Sequence, residues 1–168
     1  MKLRPKKPAR ENASRLLPRL AHKFFRAGDR SIEDELTGED LHRFRILAKR
    51  FRYALEFFRP CYGSALDAHL ESLRELQALL GDLNDCCASR GRFRDLLAAS
   101  GPSKRHKALL KALDDLESDL LERYRALWRD SWEPPGFRQR FLRYLAHPPR
   151  QLSELRAGAR RRPEAVPA

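Results

Sequence analysis

Leu, Phe and Trp recur along this chain at intervals of three and four, the spacing that places apolar side chains on one face of an α-helix. From about Ala9 to Ala27, Leu17, Leu20 and Phe24 share one side. Arg15, Arg19, His22 and Arg26 share another, with Lys23 at its margin. Pro18 predicts either a helix start near Leu17 or a kink, and Gly28-Asp29 reads as the stop. After the acidic connection SIEDELTGED, Thr37 is placed to cap a second helix, with Glu39 and Asp40 in its first turn. Phe44, Leu47, Ala48, Phe51, Leu55 and Phe58 gather on one side of it, and Pro60 and Gly63 put its end near Phe58.

Leu66, Leu70, Leu73, Leu76, Leu80 and Leu83, followed by Phe93, Leu96 and Leu97, predict two helices or one long bent one. That stretch runs from about Ser64 to Ala99 and is interrupted at Gly81. Past the break SGPS, Ser103 is the next cap, and Leu110 to Leu127 mark a long helix that Pro134 and Pro135 end. A short last helix follows from Phe137 to Leu145, and Trp128 and Trp132 read as core. The expected organisation is a flexible basic arm over 1–8, a helical bundle over 9–146 and a disordered Pro/Arg-rich tail over 147–168. Sparse glycine and few β-branched residues agree with an all-α bundle of about five or six helices.

The second helix carries more than a core face. His42, Arg45, Lys49 and Arg52 fall within roughly 80° of arc on the side away from its phenylalanines. A charged helical face is ordinarily solvated surface, and such faces mix signs for pairing between successive turns. Here only Glu56 intrudes, at the far end, and the preceding helix bears a second basic row. Two adjacent cationic rows point to a basic groove for a polyanion, in which Arg grips phosphate oxygens through paired N–H donors and Lys acts as a point charge. His42 is either a neutral donor within it or a hydrogen-bond partner of a neighbouring helix, and spacing alone does not choose between them.

Charge agrees with this reading. Lys and Arg number 35 against 23 Asp and Glu, a formal net charge of +12 over 168 residues. Cys61, Cys86 and Cys87 show no CxxC spacing, and adjacent cysteines do not readily bridge, which predicts reduced thiols and a cytoplasmic protein. No apolar run reaches the length of a membrane span, and MKLRPKKPAR lacks the apolar stretch of a signal peptide. His22, His69, His106 and His147 show no metal-ligand spacing, so no metal or cofactor is expected. Asp82, Asn84 and Asp85 read as structural, and no nucleophile elbow, phosphate loop or HExxH motif suggests an enzyme.

LHRFRILAKRFRYALEFF followed by LLGDLND resembles the CHAD domain, the conserved-histidine α-helical domain. The pattern HxxRxxxKRxRYxxE is met by His42, Arg45, Lys49, Arg50, Arg52, Tyr53 and Glu56. LGxLND is met by Leu80, Gly81, Asp82, Leu83, Asn84 and Asp85, and WRD…PPGFRQRFLRYL is similar to the family's closing helices. The resemblance implies basic residues lining a channel for inorganic polyphosphate, and for some members a place at polyphosphate granules. It marks Arg50 as a further binding residue beside Arg45, Lys49, Arg52 and His42. The basic row of the first helix, Arg19, Lys23 and Arg26 together with His22, is expected to form the opposing wall. Relatives of this kind usually hold two bundles in one chain. This sequence resembles the second, so a homodimer is the expected way to complete the channel. Two other readings are an RNA-binding module, since cations and aromatics together bind single strands, and a polyphosphate-processing enzyme, which would need a carboxylate cage.

Overall fold

The computed structural model describes residues 3–33, 38–100 and 103–149, with side chains throughout except at 98–100. Among them are five α-helices and no strand: α1 (Ala9–Arg30), α2 (Gly38–Phe58), α3 (Asp67–Ser100), α4 (Lys104–Trp132) and α5 (Phe137–Ala146). Two short 3-10 turns, Arg59–Cys61 and Ser64–Leu66, join α2 to α3. The all-α bundle is as the periodicity predicts. Thr37 and the tail from 150 onward lie outside the described residues.

Several local expectations change. Residues 4–8 are not a loose arm. Asn12 accepts the Arg4 amide at 2.9 Å, and its side-chain nitrogen donates to the carbonyls of Arg4 and Lys7 at 3.0 and 3.2 Å. One buried amide thus satisfies a turn's backbone groups and folds it onto α1. The helix also runs on through Pro18, because burial of Leu16, Leu17 and Ala21 on either side of it offsets one missing backbone bond.

Gly28 is not a stop. It is buried inside α1, and a Cβ there would lie 1.8 Å from the Trp128 ring. The glycine is a seat for that indole. Around it Phe24 meets Phe51, Trp132, Trp128 and Phe44 at ring-centroid distances of 4.9, 5.1, 5.3 and 5.5 Å. This aromatic cluster ties α1, α2 and the end of α4 together through large buried areas and edge contacts.

α3 is one helix of 34 residues, about 50 Å long, which Gly81 does not break. Among the described side chains its buried positions end at Cys86, and those of α4 begin at Leu120. The far end of α3 and the start of α4 therefore project as a hairpin, with Leu96, Leu109 and Leu116 exposed. Ser103 does cap α4, accepting the His106 amide while the His106 ring accepts the Ser103 amide. α5 closes the bundle. The Tyr62 hydroxyl donates to the Leu145 carbonyl at 2.6 Å, and Arg138 donates to Asp29 at 2.8 Å.

Candidate functional site on the second helix

α2 buries Leu41, Phe44, Ala48, Phe51, Leu55 and Phe58. Each residue of the basic row follows one of these positions or nearly so, which places the row along one edge of the buried face. That edge packs against α3. His42 Nδ1 meets Asn84 Oδ1 at 3.2 Å, Arg52 Nε donates to Gln77 Oε1 at 2.8 Å, and Glu56 accepts from Arg74 at 3.5 Å. The pairs run in opposite directions along the two chains, so α2 and α3 are antiparallel. Arg45 and Lys49 fall between them, level with Gly81.

The chemistry of this seam is one-sided. Arg45 and Lys49 are half-buried and form no ion pair among the described residues. The α3 partners of His42 and Arg52 are neutral amides. The carboxylate at the end of the row, Glu56, also accepts from Arg52 at 2.7 Å. Asn84 donates its own amide N–H to Asp85 at 3.3 Å, so it presents oxygen to His42 and makes Nδ1 the donor. In the neutral ring Nε2 is then an acceptor. His42 is thus a hydrogen-bond partner of the neighbouring helix, at one end of the row.

The basic row of α1 does not form a wall opposite this one. Lys23 and Arg26 line a pocket of about 510 Å³ with Arg30, Arg43, Phe44 and Leu47, on the other flank of α2. The buried face of α2 separates the two flanks, because α1 packs on the side carrying Arg43 and Leu47. Glu33 and Asp40 share that pocket, and Arg43 pairs with Glu39. Arg19 and His22 are exposed on α1 and do not line it. Arg50 is exposed on the outward side of α2, where Ile46, Tyr53 and Phe57 are 41%, 55% and 67% exposed. The Arg52 guanidinium lies 4.6 Å over the Tyr53 ring.

Two α3 residues of this site, Gln77 and Asn84, escaped the charge pattern. Asn84 was visible only through LGxLND, and Gln77 gave no signal. The remaining titratable groups serve packing. Burial against Phe137 and Phe141 lowers the pKa of His69 and keeps its ring neutral. Burial, then the hydrogen bond to Glu117, pushes the Cys87 thiol up to about 11, so it is no thiolate at neutral pH. Among the described residues no group of three His, Cys, Asp or Glu is placed to hold a metal ion, and no helix is long and apolar enough to cross a membrane.

The CHAD domain family matches residues 2–94, more than half of the 168-residue chain. The chain belongs to the CHAD domain family. Domains of this family are linked to polyphosphate binding in general. The match takes in α1, α2 and most of α3, and with them both walls of the seam. The WRD…PPGFRQRFLRYL segment lies beyond the matched residues. No curated protein and no solved structure matches the chain.

Proposed function

We propose that this CHAD domain binds inorganic polyphosphate along the seam of α2 and α3 and carries out no catalysis. The observation that supports it most is the basic row itself. Arg45 and Lys49 stand in its middle without an ion pair among the described residues, and the groups that steady Arg52 and His42 from α3 are uncharged amides. At Arg45 and Lys49 a dense linear anion meets cations without first displacing a carboxylate, while Arg52 keeps its pair with Glu56 at the end of the row. Arg45, Lys49 and Arg52 contact phosphate oxygens, and His42, held by Asn84, marks the far end of the row. Arg50 and the α1 residues Arg19, His22, Lys23 and Arg26 strengthen the surrounding positive field.

RNA is the second reading, favoured by Tyr53 beside Arg52. It is one stacking surface where single-strand readers use several, so bare phosphate is preferred. The enzyme reading needs carboxylates at the row, and Glu56 is engaged by Arg52 and Arg74. Labelled long-chain polyphosphate, competed with RNA and with short phosphates, tests the choice. Polyphosphate should hold against a molar excess of RNA phosphate, and its affinity should fall steeply with salt. Displacement by RNA at equal phosphate concentration would transfer the site to nucleic acid.

A homodimer belongs to the same proposal. Exposed Ile46, Tyr53 and Phe57 next to the row offer apolar area for a second copy. Light scattering during the titration should show the mass of two chains once polyphosphate is present. A mass of one chain with and without ligand removes the dimer. Reduced cysteines at positions 61, 86 and 87 suit the cytoplasmic setting expected of such a protein.

A further inference from the structure

From its Arg52 end to its middle, the seam gathers donors whose acceptors are missing. Arg45 Nε, from α2, and Gln77 Nε2, from α3, are both shut from solvent and have no hydrogen-bond partner. Gln77 cannot turn its amide round to help, because its oxygen already accepts from Arg52 at 2.8 Å. Lys49 adds a third donor group without an ion pair among the described residues. Unsatisfied N–H groups away from water are costly, and a small outward turn of either side chain would bring them to an anion's oxygens.

At this level α3 has no side chain at all. Gly81 lies on the same row of α3 as Gln77 and Asn84, four residues after one and three before the other. A Cβ built there meets nothing within 4 Å. The glycine is therefore not demanded by crowding or by backbone shape, since the helix runs straight through it. Glycine in a helix interior is less stable than alanine. What its absence of a side chain leaves is room, between the two α3 amides and opposite Arg45 and Lys49.

We infer that α3 forms the second wall of the polyphosphate site and that Gly81 keeps a passage open for an unsubstituted phosphate chain. This rests on the proposed polyphosphate reading and adds to it a path and a selectivity. Gln77 and Asn84 are positioning residues at either end, holding Arg52 and His42. The Glu56 carboxylate repels an anion at the Arg52 end, so the chain leaves past His42. A strand bearing sugars and bases is too bulky to settle between the helices at Gly81 and binds only along the outside of the row.

The test is the series Gly81→Ala, Gly81→Gln and Gly81→Leu in the full chain, none of which changes charge. Binding of long-chain polyphosphate and of single-stranded RNA is measured beside thermal melting. Alanine should raise the melting temperature by a few degrees and change polyphosphate affinity less than about threefold. Glutamine and leucine should weaken polyphosphate binding at least about tenfold without lowering the melting temperature below that of the wild type, and leave RNA binding within about twofold. A leucine variant that binds polyphosphate like the wild type overturns the passage and leaves the proposed function standing. Affinity that falls only in step with melting temperature overturns it as well. A folded wild-type chain that does not bind polyphosphate overturns both.

Discussion

On its α3 flank, α2 holds Arg45 and Lys49 without ion pairs among the described residues, and Arg52, paired with Glu56 of its own helix, is steadied with His42 by Gln77 and Asn84. On its α1 flank, Arg43 pairs with Glu39, and Glu33 and Asp40 share the pocket with Lys23, Arg26 and Arg30. Both flanks are basic by count. They differ in what stands beside the cations. A carboxylate screens its neighbour and competes with an incoming anion, whereas an amide orients a guanidinium and leaves its charge intact. The number of cations on a surface is therefore a poorer guide to anion binding than the chemistry of their partners.

The largest expected effect separates the flanks directly. Arg45→Ala with Arg52→Ala should weaken polyphosphate binding at least about a hundredfold, equivalent to about 3 kcal/mol, and reduce the salt dependence. Lys23→Ala with Arg26→Ala removes the same formal charge and should cost less than about tenfold. Titrations of both double variants at two salt concentrations compare them. Equal losses would mean that summed charge matters and the partners do not.

A smaller effect comes from exchanging the partner chemistry itself. Gln77→Glu turns the neutral acceptor of Arg52 into a carboxylate at nearly constant shape, and should weaken binding about tenfold. Glu33→Gln on the other flank makes the opposite exchange and should alter affinity less than about twofold. If Gln77→Glu binds as tightly as the wild type, the difference between the flanks has no functional weight.

The smallest effect is at His42, whose Nδ1 is committed to Asn84 on α3. His42→Gln keeps a donor toward Asn84 and should weaken polyphosphate binding less than about threefold. His42→Ala removes the bond between the helices and should cost more than the glutamine variant, as followed by titration of both. Equal losses in the two variants would show that the bond to Asn84 does nothing for the row.

The sequence revealed the helices and the row on α2 because both rest on short-range periodicity, which Phe44, Ala48, Phe51 and Leu55 state plainly. It misled where the decisive neighbour is distant. Gly28 resembles a helix stop until Trp128 is seen lying on it. The rows on α1 and α2 look like facing walls, yet which flank of α2 meets α1 is settled by three-dimensional packing. Gln77 was illegible for another reason: a neutral amide in a long helix carries no pattern, and its role exists only through the guanidinium opposite. Asn12 is similar, an ordinary residue until its side chain closes the turn before it.

The seat that Gly28 provides also decides what light can report. Both tryptophans of the chain, Trp128 and Trp132, are wholly buried, with ring centroids 6.3 Å apart. Their emission should be that of indoles in an apolar setting and should shift to longer wavelength when the bundle opens. Neither lies at the seam, where the neighbouring aromatic is Tyr53. Intrinsic fluorescence is thus a gauge of folding alone, and it can certify that a seam variant is intact independently of the ligand it has lost.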